Sequence, residues 1–380
     1  MSQAKKGLDG VSIGDSRLSL VNGTEGKLIY SGYKIEDLAA HALYEEVVYL
    51  LWEGKLPNAT ELEQLRAAIA ENAGIPDEVL TLLKTFPKDA NAMAVLRTAV
   101  SALAFYDPDS ENYSLDALRR KAVRLTGQVT TISAAWMRIR EGKEPLAPRK
   151  DLNLSANFVY MITGAEPAAT AVDAINAYMV LLTEHGMNAS TFASRVTVST
   201  GSDMHSAIVS AIGTLKGPAH GGANTEAMLQ FMEIGEVENV DRWFNDNIKN
   251  GNRRIMGIGH RVYKALDPRA AVLRERSEAL AKASGNMKWF LIADNLAKLA
   301  RADQYFIERN LYPNVDYFSA IALYTLDIDV DMFTPLFAMS RMAGWTAHII
   351  EQVESNRLIR PSVDYVGPLG LAWKPLEERE

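Results

Sequence analysis

Two histidines and an aspartate stand where the backbone leaves regular structure. His220 lies in Gly217-Pro218-Ala219-His220-Gly221-Gly222, His260 in Gly257-Ile258-Gly259-His260-Arg261, and Asp316 in Pro313-Asn314-Val315-Asp316. Imidazoles and carboxylates move protons near neutral pH, and glycine neighbours let a ligand approach them closely. Acid–base chemistry at a carbon centre is what this set offers, so the chain reads as an enzyme. His220 precedes a helical stretch from about Ala223, which places it beside a helix N-terminus that favours an anion. Asp316 has Val315, Tyr317 and Phe318 as neighbours, an apolar surround of the kind that raises a carboxyl pKa. Its plainer reading is the cap of a helix that begins at Tyr317.

Cations and carboxylate-binding groups come next. No acid occurs from Asn247 to Leu266, while Lys249, Arg253, Arg254, Arg261 and Lys264 all fall there, so this stretch is either a phosphate-binding surface or a solvated basic face. As a dinucleotide fingerprint Gly257-Ile258-Gly259 fails, because Val262 holds the third glycine position. Asp267-Pro268-Arg269 reads as an N-cap, a first-turn proline and an outward-pointing arginine. Arg341 and Arg360 are further candidates for bidentate carboxylate binding. His348 and Glu351, three apart on a helix, have no third ligand nearby, and no metal site is expected.

Helices must position most of these residues. Apolar periodicity predicts them over 35–53, 77–85, 91–105, 114–140, 153–163, 168–184, 190–200, 203–213, 223–234, 268–284, 287–308, 316–325, 332–341 and 343–356. Another starts at a capping box, Thr60-Glu61-Leu62-Glu63, and stops at Gly74 and Pro76. Strand-like alternation is confined to Ser12–Asp15, Leu18–Asn22 and Lys27–Tyr30. The expected fold is nearly all-α. Gly and Pro breaks bracket an inserted small domain, 217–324, within a large one made of 1–216 and 325–380, and a site at that boundary would open and close by hinge motion.

Composition narrows the class of function. The chain has 380 residues, no Cys, 48 % hydrophobic residues and a formal net charge of −7, which argues against nucleic acid as a partner and removes thiolate chemistry. No apolar leader or spanning run is visible, so neither a membrane partner nor export is expected, and the cytoplasm is the expected location.

The motifs together resemble the citrate synthase family, which includes the closely similar 2-methylcitrate synthases. The resemblance rests on Glu25–Tyr30 with Gly32-Tyr33, Asn157–Met161, Glu184–Ser190, Lys216–Asn224, Gly257–Tyr263, Asp267–Arg269, Pro313–Asp316, Ser340–Trp345 and Arg360-Pro361. It implies an all-α homodimer with a large and a small mobile domain that condenses acetyl-CoA with oxaloacetate and hydrolyses the thioester. Acetyl-CoA would be a co-substrate, with no tightly bound cofactor. By the same resemblance Asp316 removes a methyl proton, His220 stabilises the enol oxygen, and His260 donates to the oxaloacetate carbonyl. His185, Arg269 and Arg341 would hold the oxaloacetate carboxylates, with Arg360 reaching in from the partner subunit. The CoA site would draw on Arg254, Ile255, Met256, Gly257, Ile258, Gly259, Arg261, Lys264 and Asn314. Propionyl-CoA as substrate, giving 2-methylcitrate, remains an alternative, because one methylene changes affinity by only about 1–3 kcal/mol and demands no change of motif. A binding protein that kept the arginines but lost the chemistry would have no reason to keep both histidines and Asp316.

Overall fold

The structure is a computed structural model and describes residues 6–8 and 10–379. Helices dominate it. Among the described residues the strands form one small antiparallel sheet, Ser19–Asn22, Lys27–Tyr30 and Tyr33–Lys34, paired in that order. Ser19 lies opposite Tyr30 in the register, and the Tyr30 hydroxyl donates to the Glu184 carbonyl at 2.7 Å, which pins the sheet beside the Glu184-His185 turn. Ser12–Asp15 forms no strand; it is exposed, and the Ser12 hydroxyl closes a local bond to the Gly14 carbonyl instead of a ladder.

Most helices fall where periodicity places them, Asp77–Thr85 and Pro268–Ser284 to the residue. Ser114, Asn153 and Asp203 cap the helices that follow them, each side chain accepting an amide of the first turn. The capping box lies two residues earlier than expected. Asn58 Oδ1 accepts from the Glu61 amide and the Glu61 carboxylate accepts from the Asn58 amide, so that helix is Ala59–Asn72. The 35–53 stretch divides into Ile35–His41 and Tyr44–Glu53, and 287–308 into Lys288–Ala302 and Gln304–Glu308. Val240–Phe244 and a π-turn at Asn245–Lys249, which show no clear period, also join the fold.

The two helices expected over 332–341 and 343–356 are one, Phe333–Glu354, and every residue of it from Phe333 to Gln352 except Thr334 is buried. Gly344 does not break it, because that glycine is needed for close approach. A Cβ there would stand 2.2 Å from the Thr183 carbonyl oxygen and 2.6 Å from Glu184 Oε2. This helix packs on Leu115–Arg140, Ala189–Ser199 and Met204–Leu215. A second group joins Pro268–Ser284 to Val315–Thr325, which in turn meets Ala223–Ile234 and Lys288–Ala302. Apolar burial drives both packings, at about 1.5–3 kcal/mol for each large side chain taken fully from water. No helix among the described residues is long and apolar enough to cross a membrane.

Candidate active site

His260 and Asp316 are set by two loops that bond to each other. The Gly259 amide donates to the Tyr312 carbonyl and the Asn314 amide to the Gly257 carbonyl, while Ile258 and Pro313 form a β-bridge. Asn314, not Asp316, caps the helix Val315–Thr325, its side chain accepting from the Asp316 amide at 2.9 Å. That frees the Asp316 carboxylate from capping. It is half-buried, and burial raises its pKa to about 6, with Arg269 and Arg341 pulling the other way.

His260 Nδ1 accepts from the amides of Val262 at 3.0 Å and Tyr263 at 3.2 Å, so the ring proton lies on Nε2, which becomes a donor. His220 is held from another direction. The Ser190 amide donates to His220 Nε2 at 3.3 Å and the Ser190 hydroxyl lies 2.8 Å from the same nitrogen, an arrangement that puts the ring proton on Nδ1. Trp345 Nε1 donates to that hydroxyl at 3.2 Å and fixes it. Burial, reinforced by Arg341 for His220 and by Arg269 for His260, lowers both pKa values to about 4, so both rings are uncharged at neutral pH. His185 Nε2 is 3.1 Å from the Tyr263 hydroxyl, and its ring stands 5.6 Å from that of His260. Burial, then Arg269 and Arg341, push it well below the usual histidine range.

Arg269 is not outward-pointing. It is 2 % exposed, and the Asp267 carboxylate turns it inward with bonds of 3.0 Å to Nε and 2.9 Å to Nη2. Burial opposes its charge, yet Asp267 holds its pKa above the ordinary guanidinium range. Asp267 also caps its helix as expected and accepts from the Val315 amide at 3.2 Å, so one carboxylate joins the helix starts that carry Arg269 and Asp316. Arg341 is buried, donates through Nε to the Leu182 carbonyl, and has no partner for Nη1 among the described residues. Its charge acts on His185, His220 and Asp316 alike. Arg360 stands apart from this cluster, in the exposed stretch after Glu354.

A cavity of about 880 Å³ reaches the cluster at His260 and runs outward along Arg254, Ile255, Ile258, Gly259 and Arg261. Met256, Gly257, Lys264 and Asn314 do not line it. Met256 donates its amide to Gln230, Lys264 donates its amide to the Gly23 carbonyl, and Asn314 serves as the helix cap. Gly257 takes a positive φ of 77°, and a Cβ there would meet Tyr317 Cα at 3.0 Å. The basic stretch is partly neutralised, since Arg253 forms a double ion pair with Glu233 and Lys249 lies 3.6 Å from Asp303. Tyr305, Phe306 and Arg309 also line the cavity, as do Lys249, Arg253 and Asp303, with the Arg309 guanidinium 4.1 Å from the Tyr305 ring centroid. Sequence reasoning missed Tyr305, Phe306 and Arg309, as it missed Ser190 and Tyr263. The basic residue beside two aromatics at Tyr305-Phe306 and Arg309 was the available signal.

Chemically, the cluster offers a carboxylate of raised basicity, two uncharged imidazoles with assigned donor nitrogens, and two buried guanidiniums. Such a set suits proton abstraction beside a carbonyl with a dianionic partner bound close by. Among the described residues no group of three or more His, Asp or Glu is arranged to hold a metal ion.

The family model described as "Citrate synthase, C-terminal domain" matches residues 7–362. The chain is 44 % identical over 377 residues to "Citrate synthase 2" of Bacillus subtilis, covering 99 % of each chain. It is 40 % identical over 364 residues to a 2-methylcitrate synthase of Mycobacterium tuberculosis, covering 96 % of this chain and 90 % of the relative. Among solved structures it is similar to the citrate synthase of Thermoplasma acidophilum in its ternary complex with carboxymethyl coenzyme A and oxaloacetate, at TM-score 0.92 and 37 % identity, covering 98 % of this chain and 99 % of that one.

Proposed function

The chain belongs to the citrate synthase family, and we infer that its cleft condenses acetyl-CoA with oxaloacetate and water to give citrate and CoA. The observation that carries the mechanism is the opposite tuning of Asp316 and the histidines: the carboxyl is raised to about 6 while both rings are lowered to about 4. At neutral pH this leaves one base and two uncharged donors.

Asp316 takes a proton from the acetyl methyl group, and the thioester oxygen, as it gains charge, accepts a hydrogen bond from His220 Nδ1–H. The methylene carbon then bonds to the oxaloacetate carbonyl carbon. His260 Nε2–H donates to the carbonyl oxygen and gives up its proton as negative charge develops there, so that the oxygen becomes the citryl hydroxyl; return of the proton that Asp316 took to the imidazole restores both residues. Water attacks the resulting thioester, releasing CoA as thiol and leaving citrate. Arg269, Arg341 and His185 hold the dicarboxylate, and two guanidiniums offset the charge that would repel the incoming enolate. The cavity beside His260 takes the CoA moiety, with Arg254, Arg261 and Arg309 toward its phosphates.

His220, His260, Arg269 and Asp316 come from residues 217–324, whereas His185 and Arg341 come from the rest of the chain. That division supports a smaller mobile domain, 217–324, closing on 1–216 and 325–380 to exclude water during condensation. A homodimer in which Arg360 completes the partner's carboxylate site fits the separation of Arg360 from its own cluster.

Parallel steady-state assays with acetyl-CoA and propionyl-CoA on oxaloacetate test the reading. Citrate formation with a higher kcat/KM for acetyl-CoA is expected; absence of citrate, or a preference for propionyl-CoA, overturns it.

A further inference from the structure

His348 and Glu351 belong to a buried chain of charges behind Arg341. Arg195 Nη1 donates to Glu351 Oε2 at 2.7 Å and lies 3.1 Å from His348 Nδ1. A guanidinium cannot accept, so Nδ1 is the acceptor and the His348 ring proton lies on Nε2. From there it donates to Glu184 Oε1 at 3.0 Å. The same oxygen accepts from the Gly186 amide at 2.6 Å and from the Ser19 hydroxyl at 3.0 Å. Every donor to this carboxylate thus falls on Oε1.

Glu184 Oε2 is left buried and without a partner, and so is Arg341 Nη1. Both side chains crowd the same glycine: a Cβ on Gly344 would stand 2.6 Å from Glu184 Oε2 and 3.3 Å from Arg341 Cδ. Buried groups of opposite charge this near each other pair unless something restrains them. The restraint is the set of donors on Oε1, and His348 is the member whose own position is fixed by Arg195.

We propose that His348 is a positioning residue: its Nε2–H holds the Glu184 carboxylate off Arg341 Nη1, so that this guanidinium stays open to a dicarboxylate substrate. The inference rests on the reading of Arg341 as an oxaloacetate ligand. Glu184 then supplies counter-charge without occupying the site. Releasing it creates an internal competitor for the substrate, an effect on affinity that loss of packing alone would not produce.

Steady-state kinetics of the full chain test this with His348→Leu, His348→Gln and the double variant His348→Leu/Glu184→Gln. His348→Leu is expected to raise the oxaloacetate KM about tenfold while the acetyl-CoA KM moves less than about twofold. His348→Gln keeps a donor near the place of Nε2 and stays near wild type. The double variant, whose amide cannot ion-pair with Arg341, returns the oxaloacetate KM to within about threefold of wild type. An unchanged oxaloacetate KM in His348→Leu overturns the proposal, and so does a loss that Glu184→Gln fails to repair. Should His348→Leu not fold, Ser19→Ala removes another donor from Oε1, and a rise of about threefold that Glu184→Gln reverses is expected; no rise overturns it. Wild-type turnover in the same assay decides the reading of function separately, and the variant ratios decide the role of His348.

Discussion

The side-chain amide of Asn314 donates to the carbonyl of Gly259 at 2.9 Å. Since Asn314 also caps the helix that carries Asp316, and Gly259 precedes His260, the proposed base and the proposed proton donor are placed by one unit of backbone. Moving either loop would move both. The positive φ of Gly257 and Gly259, at 77° and 90°, lets the loop turn tightly enough to make these bonds.

Asp316→Asn should lower turnover by about 10²–10⁴-fold in a free-CoA release assay, because a carboxamide cannot take the methyl proton. Oxaloacetate binding, followed by calorimetry, should stay near wild type. The same variant carries a stability signature. A carboxyl raised to about 6 in the folded state binds protons more tightly there than when unfolded, so its ionised form costs stability above that pH and costs nothing below its ordinary value of 3.8. With allowance for its partial exposure, Asp316→Asn should be more stable than wild type by about 1–2 kcal/mol at pH 8, converging near pH 4. Equal denaturation midpoints at pH 8 would sink the burial argument.

The pH dependence of kcat/KM should show an acid limb centred near 6, the Asp316 value, with activity falling about tenfold per unit below it as the base is protonated. Protonation of His220 and His260, whose values lie at about 4, adds a steeper fall only below that limb. A profile flat down to pH 5 would count against Asp316 as the base.

Local signals carried much of the fold. Asp267-Pro268 marked a helix start because cap and first-turn proline act within a few residues, and the helix Pro268–Ser284 begins there. The inward turn of Arg269 was hidden, since it depends on an ion pair to the residue two earlier and on burial against Tyr263. Gly344 shows the opposite failure. Read locally it interrupts a helix, but the approach of Thr183 and Glu184, distant in sequence, is what requires it. His220, His260 and Asp316 were legible as chemical groups. Their donor nitrogens were not, because Ser190, Val262 and Tyr263 assign them through contacts that no spacing rule encodes.

Truncating Arg261 or Arg309 to Ala should weaken CoA-thioester affinity by about three- to tenfold at low salt, with the loss shrinking as ionic strength rises and oxaloacetate affinity unaffected. Both side chains line the cavity beside His260. Lys264→Ala is the useful contrast, because Lys264 is exposed and does not line that cavity. A loss in Lys264→Ala equal to that in Arg261→Ala, by calorimetry, would mean that the basic stretch acts as a diffuse field and not through the cavity wall.

Arg360 provides the test of assembly. It lies in the exposed stretch after the helix Phe333–Glu354, away from Arg269 and Arg341, yet a third guanidinium would complete the dicarboxylate site. If it reaches into the neighbouring subunit, Arg360→Ala and Asp316→Asn should each be inactive alone and complement one another when mixed. In a mixed dimer one site draws an intact Asp316 from the first chain and an intact Arg360 from the second, while the other site carries both lesions. Two-fold symmetry then predicts about half of the wild-type activity per mixed dimer. Differentially tagged chains, refolded together and purified through both tags, give that species directly. Activity no higher than that of either parent would show that Arg360 serves its own subunit or no site.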